Sequence, residues 1–162
     1  MKTLLTKKLS VGLLIAVSIL LAAGCAKPKV NKPQGFAEVE GGIFSGAVYK
    51  AVSPEGMLYK VRTVKNYPFM ELEFWGNSLK NQLIKEGYHL TGEEIDLKSE
   101  GSEGILFEWI LPYGSEDYIY MTAILLSGQR IIIAESAAEH TVYKKYRGSI
   151  LDSLKTISLG LL

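Results

Sequence analysis

Apolar residues follow three patterns along this chain, and the patterns divide it. Leu9 to Ala23 is an unbroken run of 15 uncharged residues. Further on, Ile43 to Val52 alternates loosely, with Phe44, Val48 and Val52 on one face, and Met57 to Lys65 alternates more strictly. Between those two runs, Ser53-Pro54-Glu55-Gly56 has proline and glycine where a turn needs them, so the pair predicts an antiparallel hairpin. The period then changes. Leu72, Trp75, Leu79 and Leu83 recur at steps of three and four, predicting a helix over Phe69 to Glu86 with Trp75 in its core-facing stripe. Glu71 and Glu73 in its first turn and Lys80 and Lys85 near its end suit the helix dipole, and Gly87 fits the left-handed residue that ends a helix.

The second half returns to strands. Tyr88 to Lys98 is a weak strand pattern, and Glu100 to Gly104 a turn. Ile105 to Leu111 alternates, with Ile105, Phe107, Trp109 and Leu111 facing one way. Tyr118 to Leu126 and Arg130 to Ala134 are apolar on both faces, with the tight turn Ser127-Gly128-Gln129 between them. Strands of that kind have to be covered on both faces. The last pattern, over Ala137 to Ile157, is helical: Val142, Tyr143, Tyr146, Ile150, Leu154 and Ile157 form one stripe, and Ser136-Ala137-Ala138-Glu139 has the form of a capping box. Together these patterns predict an α+β domain, an antiparallel sheet with helices on both faces.

The N-terminal run changes the picture most. Lys2, Lys7 and Lys8 precede it without an acid, which makes residues 1–24 a secretory signal rather than part of the fold. At 15 residues the run is short for a membrane-spanning helix, which needs about 20. Ala22-Ala23-Gly24 stands directly before Cys25, the one cysteine in the chain. This resembles the lipobox of bacterial lipoproteins. The resemblance implies that Cys25 is the first residue of the mature protein and carries acyl chains. An ordinary signal peptide cut nearby would instead leave Cys25 a free thiol, an oxidation hazard in an exported protein. Two or more acyl chains give stable membrane anchoring, where one gives marginal binding. Ala26, rather than Asp, follows the cysteine. By the same resemblance this implies the outer membrane, facing the periplasm, in a cell with two membranes. Residues 25–42, with Pro28, Pro33, Gly35 and Gly41-Gly42, read as a lipidated N-terminus and flexible tether, and residues 43–162 as a single globular domain.

Removing residues 1–24 takes away three lysines and leaves 15 basic against 17 acidic side chains, a net charge of about −2. A nucleic-acid binder would show a basic patch or stripe, and this balance argues against one. The mature body has no further cysteine, so it holds neither a disulfide nor a thiolate metal site.

The element order looks like the Mog1/PsbP-like fold, an α/β/α sandwich. The best local match is the apolar strand Ile131-Ile132-Ile133 leading to a helix that reads Tyr146-Arg147-Gly148-Ser149-Ile150-Leu151-Asp152-Ser153-Leu154. The resemblance covers about residues 43–158. The fold carries unrelated functions, so it implies architecture and not activity.

Candidate chemistry is sparse. His89 and Glu93 would point the same way on a strand but stand about 13 Å apart. His140 adjoins Glu139 at the start of the last helix, where neighbouring side chains diverge. Both histidines read as surface or rim residues. The acidic stretch Glu93, Glu94, Asp96, Glu100 and Glu103 lacks the spaced ligands of a calcium loop and reads as solvated. No nucleophile elbow, phosphate loop or dinucleotide fingerprint occurs. No cofactor and no metal ligand is therefore expected. Among the tyrosines, Tyr118 and Tyr120 share a strand face, whereas Tyr113, in a Pro-Gly loop, is the candidate for contact with a partner. The expected function is that of a lipid-anchored, non-enzymatic envelope protein that binds or scaffolds another envelope component. A small-ligand-binding lipoprotein with a pocket between the sheet and the Phe69–Glu86 helix is the alternative, and a hydrolase a distant third.

Overall fold

The computed structural model describes residues 28–39, 48–99, 101–113 and 116–159. The expected signal segment and Cys25 lie outside that range, as does the first part of the strand expected from Ile43.

The chain runs β1 (Pro28–Lys29), β2 (Ala37–Glu38), β3 (Val48–Val52), β4 (Leu58–Lys65), α1 (Leu72–Lys85), β5 (His89–Leu90), β6 (Ile95–Ser99), β7 (Ser102–Tyr113), β8 (Glu116–Ser127), β9 (Arg130–Glu139), α2 (His140–Leu154) and β10 (Ser158–Leu159). An eight-stranded antiparallel sheet has the order β2-β3-β4-β9-β8-β7-β5, with β6 also paired to β7. β1 pairs separately with β10. This is the α+β sandwich that the patterns predict.

Register decides which residues share a face. Leu106 stands opposite Ala123, Ala123 opposite Ala134, and Ala134 opposite Val61. These residues, with Tyr59, Met121, Leu125 and Ile132, form one face, and α2 lies across it. Its buried side presents Tyr143, Tyr146, Ile150 and Leu154, all from the predicted stripe. Each large apolar side chain buried this way contributes about 1.5–3 kcal/mol relative to exposure. The other face carries Ile105, Phe107, Trp109, Tyr120 and Ile133, and α1 covers part of it. Gly76 lets α1 come close: a Cβ there would stand 3.2 Å from Ile105 Cδ1.

Four expectations need correction. β9 runs on to Glu139, and α2 begins at His140, not at Ala137. The strand wins because Ala137 finds a ladder partner in Leu58 and Glu139 one in Tyr118. Ser136 therefore does not cap the helix; its hydroxyl donates to the Leu58 carbonyl. Glu139 caps it instead, accepting from the Thr141 N–H at 3.3 Å. The weak strand over Tyr88 to Lys98 is two strands, broken at Gly92 with φ of 70°. Trp75 is half-buried, not a core residue.

The fourth correction concerns the tether. Residues 28–39 are folded onto the domain. β1 pairs with β10, the Ser153 hydroxyl donates to the Asn31 carbonyl at 2.6 Å, and Phe36 is 4% exposed with its ring edge-on to Tyr146 at 5.2 Å. Gly35 turns the chain there at φ of 85°, and a Cβ on it would stand 2.9 Å from the Tyr146 ring. The prolines and the glycine of this stretch shape a fitted strap, not a spacer.

Phe36→Ala is expected to lower stability by about 3 kcal/mol, the usual cost of emptying a buried phenylalanine site. Urea denaturation checks this, since a side chain on a free tether would leave the midpoint unmoved. A second expectation concerns acid. Glu55, in the β3–β4 turn, accepts from Lys145 Nζ at 2.6 Å and from the Tyr146 hydroxyl at 2.7 Å, which ties the turn to α2. The Lys145 and Tyr146 hydrogen bonds pull its carboxyl down to about 2. A depressed folded-state value means that the contribution is complete above about pH 4.5 and is lost as the pH falls towards 2. The stability difference between the natural chain and Glu55→Gln should therefore shrink over that window, and a difference that stays constant would contradict the assignment.

Candidate functional site

α1 packs chiefly on β5, β7 and β8, and among the described residues the β9 and β4 part of its face is left largely open. The uncovered part has two bands. In the first, Tyr120, Ala137 and Leu58 stand opposite one another in successive strands, next to the covered Trp109, with Leu111 opposite Tyr118 in the next row. Trp109 is buried, its indole N–H donating to Thr122 Oγ1 at 3.0 Å, while Leu58 is 44% exposed. Tyr88, just past the end of α1, lays its ring against Tyr120 at 5.5 Å. Tyr88, Leu111, Tyr118, Tyr120 and Ala137 line an open groove of about 530 Å³.

The second band is charged and borders the first. Glu135 accepts from the Tyr120 hydroxyl at 2.9 Å and from Arg62 Nε at 3.4 Å, and Lys60 Nζ stands 3.7 Å away. Burial, and then the Glu135 charge, push the Tyr120 hydroxyl well above its usual range, so it remains a neutral donor at any physiological pH. The groove thus has an aromatic floor with a fixed polar edge of both signs. That arrangement suits non-covalent recognition, since aromatic rings supply contact area at low cost in side-chain freedom.

The histidines are not brought together. His89 is exposed and sits opposite Ile110 in the ladder. His140 lines a smaller cavity of about 310 Å³ on the α2 face, with Glu108, Tyr143, Lys144 and Arg147. Glu108 is engaged there: Arg147 donates to it through Nε at 2.6 Å and Nη2 at 3.2 Å, and the Tyr143 hydroxyl donates at 2.5 Å. Burial and the Glu108 charge raise the Tyr143 hydroxyl. This carboxylate ties α2 to β7. Glu94, in the acidic stretch, pairs with Lys80. Among the described residues, no three His, Cys, Asp or Glu side chains converge as a metal site would require.

Tyr113 ends β7 opposite Glu116, two residues past Leu111 and the groove, and its side chain lies outside the described residues. Tyr88 and Ala137 were not legible as site residues. Tyr88 follows a helix terminator, and Ala137 reads as helix in the sequence. Tyr118 and Tyr120 were visible as a shared face, but α1 stops short of covering them.

No protein-family model matches this chain, nor does a curated protein. Solved structures do match. One is a Pseudomonas aeruginosa protein of unknown function, PA94, with a TM-score of 0.59 at 9% identity, covering 84% of this chain and 99% of that one. A second is the cyanobacterial PsbP protein (CyanoP) of Synechocystis, with a TM-score of 0.53 at 10% identity, covering 86% and 96%. A third is LpqN of Mycobacterium tuberculosis, described as involved in cell envelope biogenesis, with a TM-score of 0.54 at 11% identity, covering 85% and 87%. At these identities the likeness is one of fold, and it agrees with the PsbP-like architecture expected from the element order.

Tyr120→Phe removes the hydroxyl bond to Glu135 while keeping the ring. It should cost about 1 kcal/mol by thermal or urea unfolding, because the half-exposed carboxylate can turn to water. A loss of 3 kcal/mol or more would mean that Glu135 is left without a substitute partner.

Proposed function

We propose that this protein is a lipid-anchored, non-enzymatic binding module of the bacterial cell envelope, and that it holds another envelope component in the tyrosine-lined groove. The observation that carries this reading is the uncovered half of the α1 face. Among the described residues α1 leaves Leu58 44% exposed and Leu111, Tyr120 and Ala137 accessible beside it, apolar area that a partner can cover. The charged band of Lys60, Arg62 and Glu135 beside it would set orientation. The lipobox-like Ala22-Ala23-Gly24-Cys25 supports the anchor. LpqN, which is similar in fold, is described as involved in cell envelope biogenesis, and that supports the location. Glu108, held by Arg147 and Tyr143, serves structure rather than catalysis in this reading.

Gentle crosslinking of cells followed by affinity capture from solubilised envelopes tests the proposal. The natural chain should bring down a discrete envelope component. Leu58→Asp combined with Ala137→Arg should reduce that recovery at least about tenfold, since a charge placed in an apolar contact costs several kcal/mol. The Cys25→Ala chain should leave the membrane fraction. Recovery of the protein alone, or recovery indifferent to the double substitution, would count against the groove.

A second reading has its own observation. At about 530 Å³ the groove has the size of a small-molecule site, beside the end of α1 and not beneath it. Native mass spectrometry of protein purified from its envelope would show a bound small molecule, lost in Ala137→Arg, if that reading holds.

A further inference from the structure

At one end of the sheet a second aromatic feature stands apart from the groove. The β8–β9 turn at Gly128 and Gln129 lies there, and Gln129 accepts from the Asn66 N–H at 2.9 Å. Asn66 is buried and holds the following loop at three points. Its side chain accepts from the Met70 N–H at 3.2 Å and the Trp75 indole N–H at 2.8 Å, and donates to the Met70 carbonyl at 3.0 Å. The loop so fixed presents Tyr67, 85% exposed, and Phe69, 65% exposed. A buried asparagine with three side-chain bonds is a costly way to hold a loop whose aromatic rings stand in water.

The N-terminal strap begins at the same end. β1 pairs with β10 just beyond α2 and contacts β4, the strand that leads into Asn66. Ser99, at the β6–β7 turn of this end, donates to the Ile157 carbonyl at 2.6 Å. From Cys25 to Pro28 the chain spans at most about 11 Å. β7 alone, 12 residues long, extends about 40 Å. An anchor on so short a leash cannot present the far end of the domain to the bilayer.

We infer that the Tyr67–Phe69 loop is a membrane-contact element that enters the lipid headgroup region when the chain is anchored through Cys25. The inference rests on the anchoring proposed above. A tyrosine ring at this depth pairs apolar area with a polar tip, as interfacial aromatic residues do, and Phe69 adds apolar area beside it. Charge at this end is mixed: Lys29, Lys65, Lys98, Arg130 and Lys155 stand against Glu71, Glu73, Glu103 and Asp152. The contact is therefore apolar, and insensitive to salt and to anionic lipid. It also fixes orientation, holding the tyrosine groove near the opposite end of the sheet, away from the anchored surface.

Nitroxide labels on the full acylated chain test this. In an acylated chain the thiol introduced by Gln129→Cys or Lys144→Cys is the one available for labelling. The protein is purified in detergent, its acylation checked by mass, and reconstituted into phosphatidylcholine vesicles. The label at position 129 should show at least threefold lower collision with a water-soluble nickel chelate than the label at position 144. Adding Tyr67→Ala and Phe69→Ala should abolish that difference while the protein stays on the vesicles. Equal accessibility at the two positions on acylated protein, or protection that survives the double substitution, overturns the inference alone. Protection seen in native membranes but not in pure lipid assigns the loop to a protein partner and likewise overturns it. A mass without acyl chains overturns the anchoring reading and this inference together.

Discussion

The packing of α2 against the sheet is the contact on which the rest of the molecule depends. Tyr143, Tyr146, Ile150 and Leu154 cover Tyr59, Val61, Met121 and Ile132, the centre of the larger core. The same helix receives the N-terminal strap, since Tyr146 meets both Phe36 and Glu55, and Ser153 holds Asn31. Tyr143 and Arg147 reach across to Glu108 on β7. One helix thus fixes the central strands, the β3–β4 turn and the strap over residues 28–39.

That face is closed, and among the described residues the other is not. α1 is shorter in its buried contact: Gly76 and Leu83 are its fully buried residues, and Phe74 and Ile84 remain exposed. It seals Phe107 and Trp109 and stops at Tyr120. Strands apolar on both faces normally call for cover on both. The part of β8 and β9 that α1 leaves open carries aromatic and small apolar side chains beside an ion cluster. The imbalance between the two helices, more than any single residue, is what the proposed binding surface rests on.

Most of the architecture was legible because it follows from period. The hairpin, the stripe from Leu72 to Leu83, the two-faced strands and the stripe from Tyr143 to Leu154 all appear where apolar spacing places them. What was hidden depended on distant partners. Ser136 to Glu139 looks like a helix start until Leu58 and Tyr118 are seen to pair with Ala137 and Glu139. The strap over residues 28–39 looks like a linker because its contacts, to Tyr146, Ser153 and Leu159, lie more than a hundred residues away. The groove was hidden for the same reason: it arises where a helix ends, and sequence period shows a helix's direction of burial but not the width of sheet it covers. The proposed lipid anchor is the reverse case. It rests on the sequence around Cys25, which lies outside the described residues.

The most direct test of the central claim is site-specific photo-crosslinking in growing cells. A photoreactive side chain replaces Ala137 in the groove or, as the comparison, Gly148 on the outer side of α2, where an added side chain meets nothing within 4 Å. The account predicts a discrete crosslinked product from position 137 and none from position 148. Crosslinks from position 148 with none from position 137 would contradict it and move the recognition surface to the opposite face.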